Sequence, residues 1–253
     1  MLEPLAIFAA GFWAGMINVV VGSGTLVTFP TLLLFGYPPL VANVSNNIGL
    51  VGGGISGTWG YRHELTGKTG QLTRLLPASA LGGITGALLL LVLPAQAFQA
   101  IVPILIALGL LMVVFGPALQ RRAARRRAPG PSRRREAALI VGVFVLGIYG
   151  GYFGAAQGVL IIGLMSVLTA ETLQSITGLK NLLTTAVNAL AAVTFLTVAW
   201  ESVNWTAVAL IAAGATLGGI AGARFGRRLP PALMRTLIVV IGVIAIARLV
   251  LTG

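Results

Sequence analysis

Two groups of polar side chains inside the apolar runs of this chain could do chemistry. Ser23, Gly24 and Thr25 interrupt one long apolar run, and Gln157 and Gly158 interrupt another. Each break is followed by fresh apolar sequence with helical character. A helix that starts anew presents free N–H groups and the positive end of its dipole, and together these attract anions. The bland alternative is that the glycines only turn the chain, with Ser23 and Gln157 capping their own backbone. The second group lies on two intact runs. One carries Asn43, Ser45, Asn46 and Asn47; the other carries Thr177, Lys180, Asn181, Thr184 and Asn188. The latter five follow i, i+3, i+4, i+7 and i+11, a single face of a helix. Lys180 is the only Lys or Arg well inside an apolar run. A buried cation with amide and hydroxyl neighbours suits a small oxyanion. Against this, Lys180 could snorkel to a nearby surface, and the Asn and Thr residues could serve only to join helices.

Other chemistries have little to stand on. The chain has no Cys and one His, His63. It has no Asp, and its five Glu residues (3, 64, 136, 171 and 201) all sit at the ends of apolar runs. Metal-ligand clusters and a buried carboxylate pair for acid–base work are missing. The expectation is therefore no catalytic residues, no metal, no cofactor and no enzyme activity. Gly67-Lys68-Thr69 resembles part of a phosphate-binding loop, but Arg62 stands where that motif needs Gly. A proton relay through the membrane would need Asp, Glu or His at depth. Only Glu171, at one mouth, could contribute. An anion leaving an inside-negative cell needs no relay, since the potential favours its exit by about 2.3 kcal/mol per charge per 100 mV.

The elements that must position these residues are membrane helices. Of 253 residues, 57% are hydrophobic and 9% charged, against about 25% charged in an ordinary soluble domain. Eight apolar segments stand out: A, Pro4–Phe35; B, Leu40–Tyr61; C, Leu72–Leu93; D, Phe98–Leu119; E, Ala137–Leu168; F, Leu173–Trp200; G, Val203–Ala223; and H, Leu233–Leu251. Six are near the ~20 residues of one crossing. A and E are longer and are the two that carry breaks. A starts with Glu3 before it and no basic stretch, so it reads as retained structure, not a cleaved signal.

A and E also look like copies. Gly11-Phe12-Trp13-Ala14-Gly15 parallels Gly147-Ile148-Tyr149-Gly150-Gly151, and Asn47 in B falls on Asn181 in F. The chain is thus expected to be an all-α polytopic membrane protein of two inverted repeats, each a broken or re-entrant helical hairpin followed by three transmembrane helices. The repeats are residues 1–119 and 137–253, joined by a basic cytoplasmic linker at 120–136. The net charge of +12 belongs to this topology and not to nucleic acid. Arg62, Lys68 and Arg74 lie between B and C, eight arginines run from Arg121 to Arg135, and Arg224, Arg227, Arg228 and Arg235 lie between G and H. By the positive-inside rule these loops are cytoplasmic. E, F and G must then cross an even number of times, so E enters and leaves on one side. Two full crossings would need about 40 residues, which favours a hairpin turning within the membrane. By the repeat, A does the same from outside, which puts both termini outside. Pro129 and Pro131 make the linker a loop that touches anionic lipid.

On these features the chain resembles the sulfite exporter TauE/SafE family of membrane permeases. The resemblance rests on the paired Gly-rich openings, on Pro30-Thr31-Leu32-Leu33-Leu34, on Ala42-Asn43-Val44-Ser45-Asn46-Asn47 and on Thr177-Gly178-Leu179-Lys180-Asn181. It departs at Gln157, where another Gly is expected, and at Leu164, where the first repeat has Pro30. The resemblance implies a secondary transporter in the inner membrane exporting sulfite, a sulfonate or a related sulfur oxyanion. The expected substrate ligands are Ser23, Gly24, Thr25, Asn43, Asn46, Asn47, Gln157, Gly158, Thr177, Lys180 and Asn181. Expected partners are the small anion and membrane lipid, with a homodimer possible. An anion channel built on the same pore, or a non-transporting membrane scaffold, is the alternative.

Overall fold

The computed structural model describes residues 2–125, 132–226 and 231–252. The described residues form helices joined by short turns. Segment A folds as two helices, α1 (Leu2–Val20) and α2 (Thr25–Leu34). Segments B, C and D become α3 (Pro39–Gly60), α4 (Thr69–Val92) and α5 (Ala95–Arg125). E again gives a pair, α6 (Arg133–Tyr152) and α7 (Gln157–Leu168). F, G and H follow as α8 (Leu173–Val198), α9 (Trp205–Phe225) and α10 (Pro231–Thr252). Short 3-10 turns at Arg62–Leu65 and Trp200–Ser202 join α3 to α4 and α8 to α9.

Six of these helices are long and apolar enough to cross a membrane: α1, α4, α5, α6, α8 and α9. α3 is as long as they are, at 22 residues; its Asn and Ser residues lower its mean hydropathy. The basic linker is shorter than the sequence suggests. Arg121, Arg122 and Arg125 continue α5, and Arg133, Arg134 and Arg135 open α6. Residues 126–131, with Pro129 and Pro131, lie outside the described residues, as do Arg227 and Arg228.

The two broken segments are hairpins with unequal arms. α1 has 19 residues and α2 has 10; α6 has 20 and α7 has 12. At 1.5 Å per residue the long arms reach about 28–30 Å and the short arms only about 15–18 Å. This differs from a hairpin with two equal half-depth arms. The turn is pushed to one end of a nearly full-length helix because the left-handed glycines that make it, Gly22 and Gly154, come only after Val20 and Tyr152. The mouth of the first hairpin is nonetheless closed on itself, and that of the second opens into a cleft. The Tyr37 hydroxyl, just past α2, donates to Glu3 at the start of α1 at 2.8 Å. Ser132 and Arg133 share a cleft with Leu168 and Thr169, just past α7.

The helices pack in pairs across the halves. α1 lies along α9, and α6 lies along α4. The α1–α9 seam is a close approach that only small residues permit: a Cβ at Gly15 would strike the Ala215 backbone, and one at Gly218 would strike Phe12. Gly82, Gly86, Gly147 and Gly151 line the α4–α6 seam in the same way. Backbones this near gain dispersion contacts that lipid cannot compete with. α2 packs on α10 and α7 on α5; α3 crosses α9 and α8, and α8 crosses α4. Exchanging α1–α5 for α6–α10 turns each of these pairs into another member of the set, except α3–α8, which maps onto itself. The larger apolar core runs between the halves, with Phe29 of α2 set edge-on against Phe153 beyond α6, ring centres 5.1 Å apart. A smaller core gathers Leu75, Leu139, Ile161, Ile176 and Leu183 around α7.

Candidate functional site

The two hairpin turns touch. Gly22 adopts φ +86°, the left-handed region open to Gly, and its carbonyl accepts from the Gly158 amide at 3.1 Å. A Cβ on either residue would meet the other's Cα at 2.5 Å, so the contact depends on two glycines. The second turn is held by Gly154 at φ +76° and by Ala156 at φ +59°. The Tyr149 hydroxyl fixes it by donating to the Ala155 carbonyl at 2.6 Å.

Side chains from α3 and α8 hold these turns from the opposite half. Lys180 is 0% exposed. Its ammonium donates to the carbonyls of Asn18 at 2.7 Å and Val19 at 2.9 Å, and to Asn181 Oδ1 at 2.6 Å. The three protons of the ammonium match these three acceptors, and the cation sits at the negative end of the α1 dipole. Neither sequence reading of Lys180 covers this: it does not snorkel, and in this conformation no proton is left for a ligand. Asn43 makes the counterpart contact from α3, donating to the Tyr152 carbonyl at the end of α6 at 3.0 Å. Thr28 of α2 donates to Asn46 Oδ1.

The remaining predicted residues divide clearly. Gln157 turns back on its own hairpin and donates to the Leu146 carbonyl at 2.9 Å; it fills the space beside Gly150. Here the self-capping alternative describes the side chain. Thr177 donates to Leu173 of its own helix at 2.7 Å. Gly24 packs on Ala14, and Thr25 is buried at the first turn of α2. Ser45 leaves the group, since its hydroxyl accepts from the Asn204 amide at the start of α9.

Among the described residues, four buried side-chain polar atoms have no hydrogen-bond partner: Ser23 Oγ, Asn47 Oδ1, Asn181 Nδ2 and the Tyr152 hydroxyl. An unmatched buried polar group costs about 1–3 kcal/mol. All four lie on the turns or on the polar faces that hold them. Tyr152 and Thr28 were not anticipated from sequence. Tyr152 stands in a Gly-rich stretch that reads as packing, and Thr28 is one hydroxyl in an apolar run. Among the described residues no group of His, Cys, Asp or Glu could hold a metal ion.

A multi-pass helical bundle with two broken hairpins meeting beside buried polar faces is the architecture of a membrane transporter. The chain belongs to the sulfite exporter TauE/SafE family, whose description it matches over residues 7–249. It is 29% identical to the probable membrane transporter protein YfcA of Escherichia coli K12 over 254 residues, covering 98% of this chain and 91% of that protein. A probable membrane transporter protein of Haemophilus influenzae is 30% identical over 161 residues, 62% of this chain and 60% of its own length. A third, the probable membrane transporter protein ORF9 of Sinorhizobium sp., is 36% identical over 106 residues, 41% of this chain and 40% of that protein. No solved structure matches the chain. The protein is thus an integral, multi-pass membrane protein of a transporter family.

Proposed function

We propose that this transporter carries a small sulfur oxyanion, sulfite or an organosulfonate, outward across the inner membrane. The observation that carries the reading is the set of unpartnered buried polar atoms around the touching turns. Ser23 Oγ, Asn181 Nδ2 and the Tyr152 hydroxyl are donors without acceptors. They are what a bound oxyanion would satisfy, and the positive end of the α2 dipole adds to them. Lys180 contributes charge through space while its protons hold the end of α1. Asn46, Asn47 and Asn43 shape the opposite wall; Gln157, Gly24 and Gly158 shape the turns, and Thr177 bonds within α8, without offering free groups.

The site is enclosed. Ser23 and Asn46 are each 1% exposed, which favours an occluded carrier over an open channel. The paired packing across the halves supports two inverted repeats that rock against each other to expose the site alternately. Transport is voltage-favoured and needs no proton relay, since no Asp, Glu or His lies beside the turns. The test is flux into proteoliposomes of sulfite, thiosulfate, a sulfonate and chloride. Selective, saturable sulfur-anion flux that follows the imposed potential supports the reading; flux indifferent to potential sinks the voltage-driven part of it.

A further inference from the structure

A cleft with a charged rim lies away from the turns, where the starts of α4 and α6 meet the end of α7. It encloses about 590 Å³. Gly70, Gln71 and Arg74 line it from the first turns of α4, and Ser132, Arg133 and Arg135 from the start of α6. The floor is apolar: Leu75, Leu139, Ile140 and Leu168. The charges are three arginines and one carboxylate, Glu136, which pairs with Arg74. A Cβ at Gly70 would meet nothing within 4 Å, so the cleft is open above the start of α4.

We propose that this cleft binds one anionic phospholipid of the inner leaflet. A phosphate headgroup is complementary to the net positive charge of the lining and to the dipoles of two helices that begin at the rim. One headgroup thus sees α4 and α6 together. The floor fits the upper part of an acyl chain and not a fully hydrated ion. The cleft is rimmed by the mouth of the second hairpin, so a lipid seated there ties α6 and α7 to α4. Free phosphate satisfies the rim alone; a lipid satisfies rim and floor together.

The experiment is native mass spectrometry of the full chain from detergent, with phosphatidylglycerol, phosphatidylcholine or inorganic phosphate added. The expected result is one retained phosphatidylglycerol, in clear preference to phosphatidylcholine. Arg133→Gln with Arg135→Gln should weaken that retention by about fivefold per charge removed. Gly70→Leu, which keeps every charge but narrows the cleft at its rim, should weaken it. Melting curves check that each variant is folded. Equal retention of the two lipids, phosphatidylglycerol retention unchanged in folded Gly70→Leu protein, or protection by inorganic phosphate as strong as by lipid would overturn the proposal.

Discussion

At the residue scale, the least expected feature is the use of Lys180. A lone lysine within an apolar helix reads as a ligand for the transported anion or as a snorkelling cation. Its ammonium instead closes the end of a helix from the other half of the chain, with all three protons placed. Removing it leaves two backbone carbonyls and Asn181 Oδ1 without donors in a dry interior. Lys180→Met is therefore expected to destabilise the protein by about 2–4 kcal/mol, seen as a lower midpoint in thermal unfolding in detergent. An unchanged midpoint would mean that these contacts are not made. The types and spacing of Asn43, Asn46, Asn47, Lys180 and Asn181 marked the polar faces correctly. Their partners were not legible, because a backbone carbonyl on another helix leaves no signature in the side chains that accompany it.

At the element scale, the hairpins were legible as broken segments and their arm lengths were not. The breaks announce themselves through Gly22-Ser23-Gly24 and Gly154 to Gly158. How far each arm runs depends on packing along α9 and α4, and small residues suit packing and turning equally. Two predictions belong here. Gly22 stands at φ +86° against Gly158, so Gly22→Ala should cost about 1–2 kcal/mol from the left-handed backbone and more from the lost approach. A larger loss than in Gly36→Ala, also at φ +86° but in open space, separates the two contributions. At the hairpin's mouth, burial and then the Glu3 carboxylate hold the Tyr37 hydroxyl above the ordinary tyrosine range. A raised folded pKa means stability that is complete below about pH 10 and is lost as pH rises through the folded value. Unfolding followed against pH should show this alkaline loss in wild type and not in Tyr37→Phe.

At the scale of the whole molecule, the eight apolar segments were readable from their order and composition. The structure brings the α3–α4 and α7–α8 connections to one end, where Lys68 pairs with Glu171 at 2.5 Å. Arg74 and Glu136 pair there as well. The pairing of α1 with α9 and of α6 with α4 was not readable, because Gly-rich faces show that something packs closely without saying what. Under the proposed topology this basic end is cytoplasmic. The chain has no Cys, so single cysteines report cleanly. His63→Cys should react with an impermeant maleimide only from the cytoplasmic side, and Glu201→Cys only from outside. Labelling of both from one face would refute the inverted arrangement.

The central claim is that the unpartnered polar atoms at the touching turns hold the transported anion. The most direct measurement is sulfite and sulfonate uptake against concentration in proteoliposomes, wild type beside Ser23→Ala. Ser23 Oγ has no partner, so its removal should leave the melting midpoint unchanged or slightly raised. The half-saturating anion concentration should rise about tenfold, the worth of one hydrogen bond to a charged group. Identical uptake curves for folded Ser23→Ala and wild type, or no sulfur-anion uptake by either, would contradict the account.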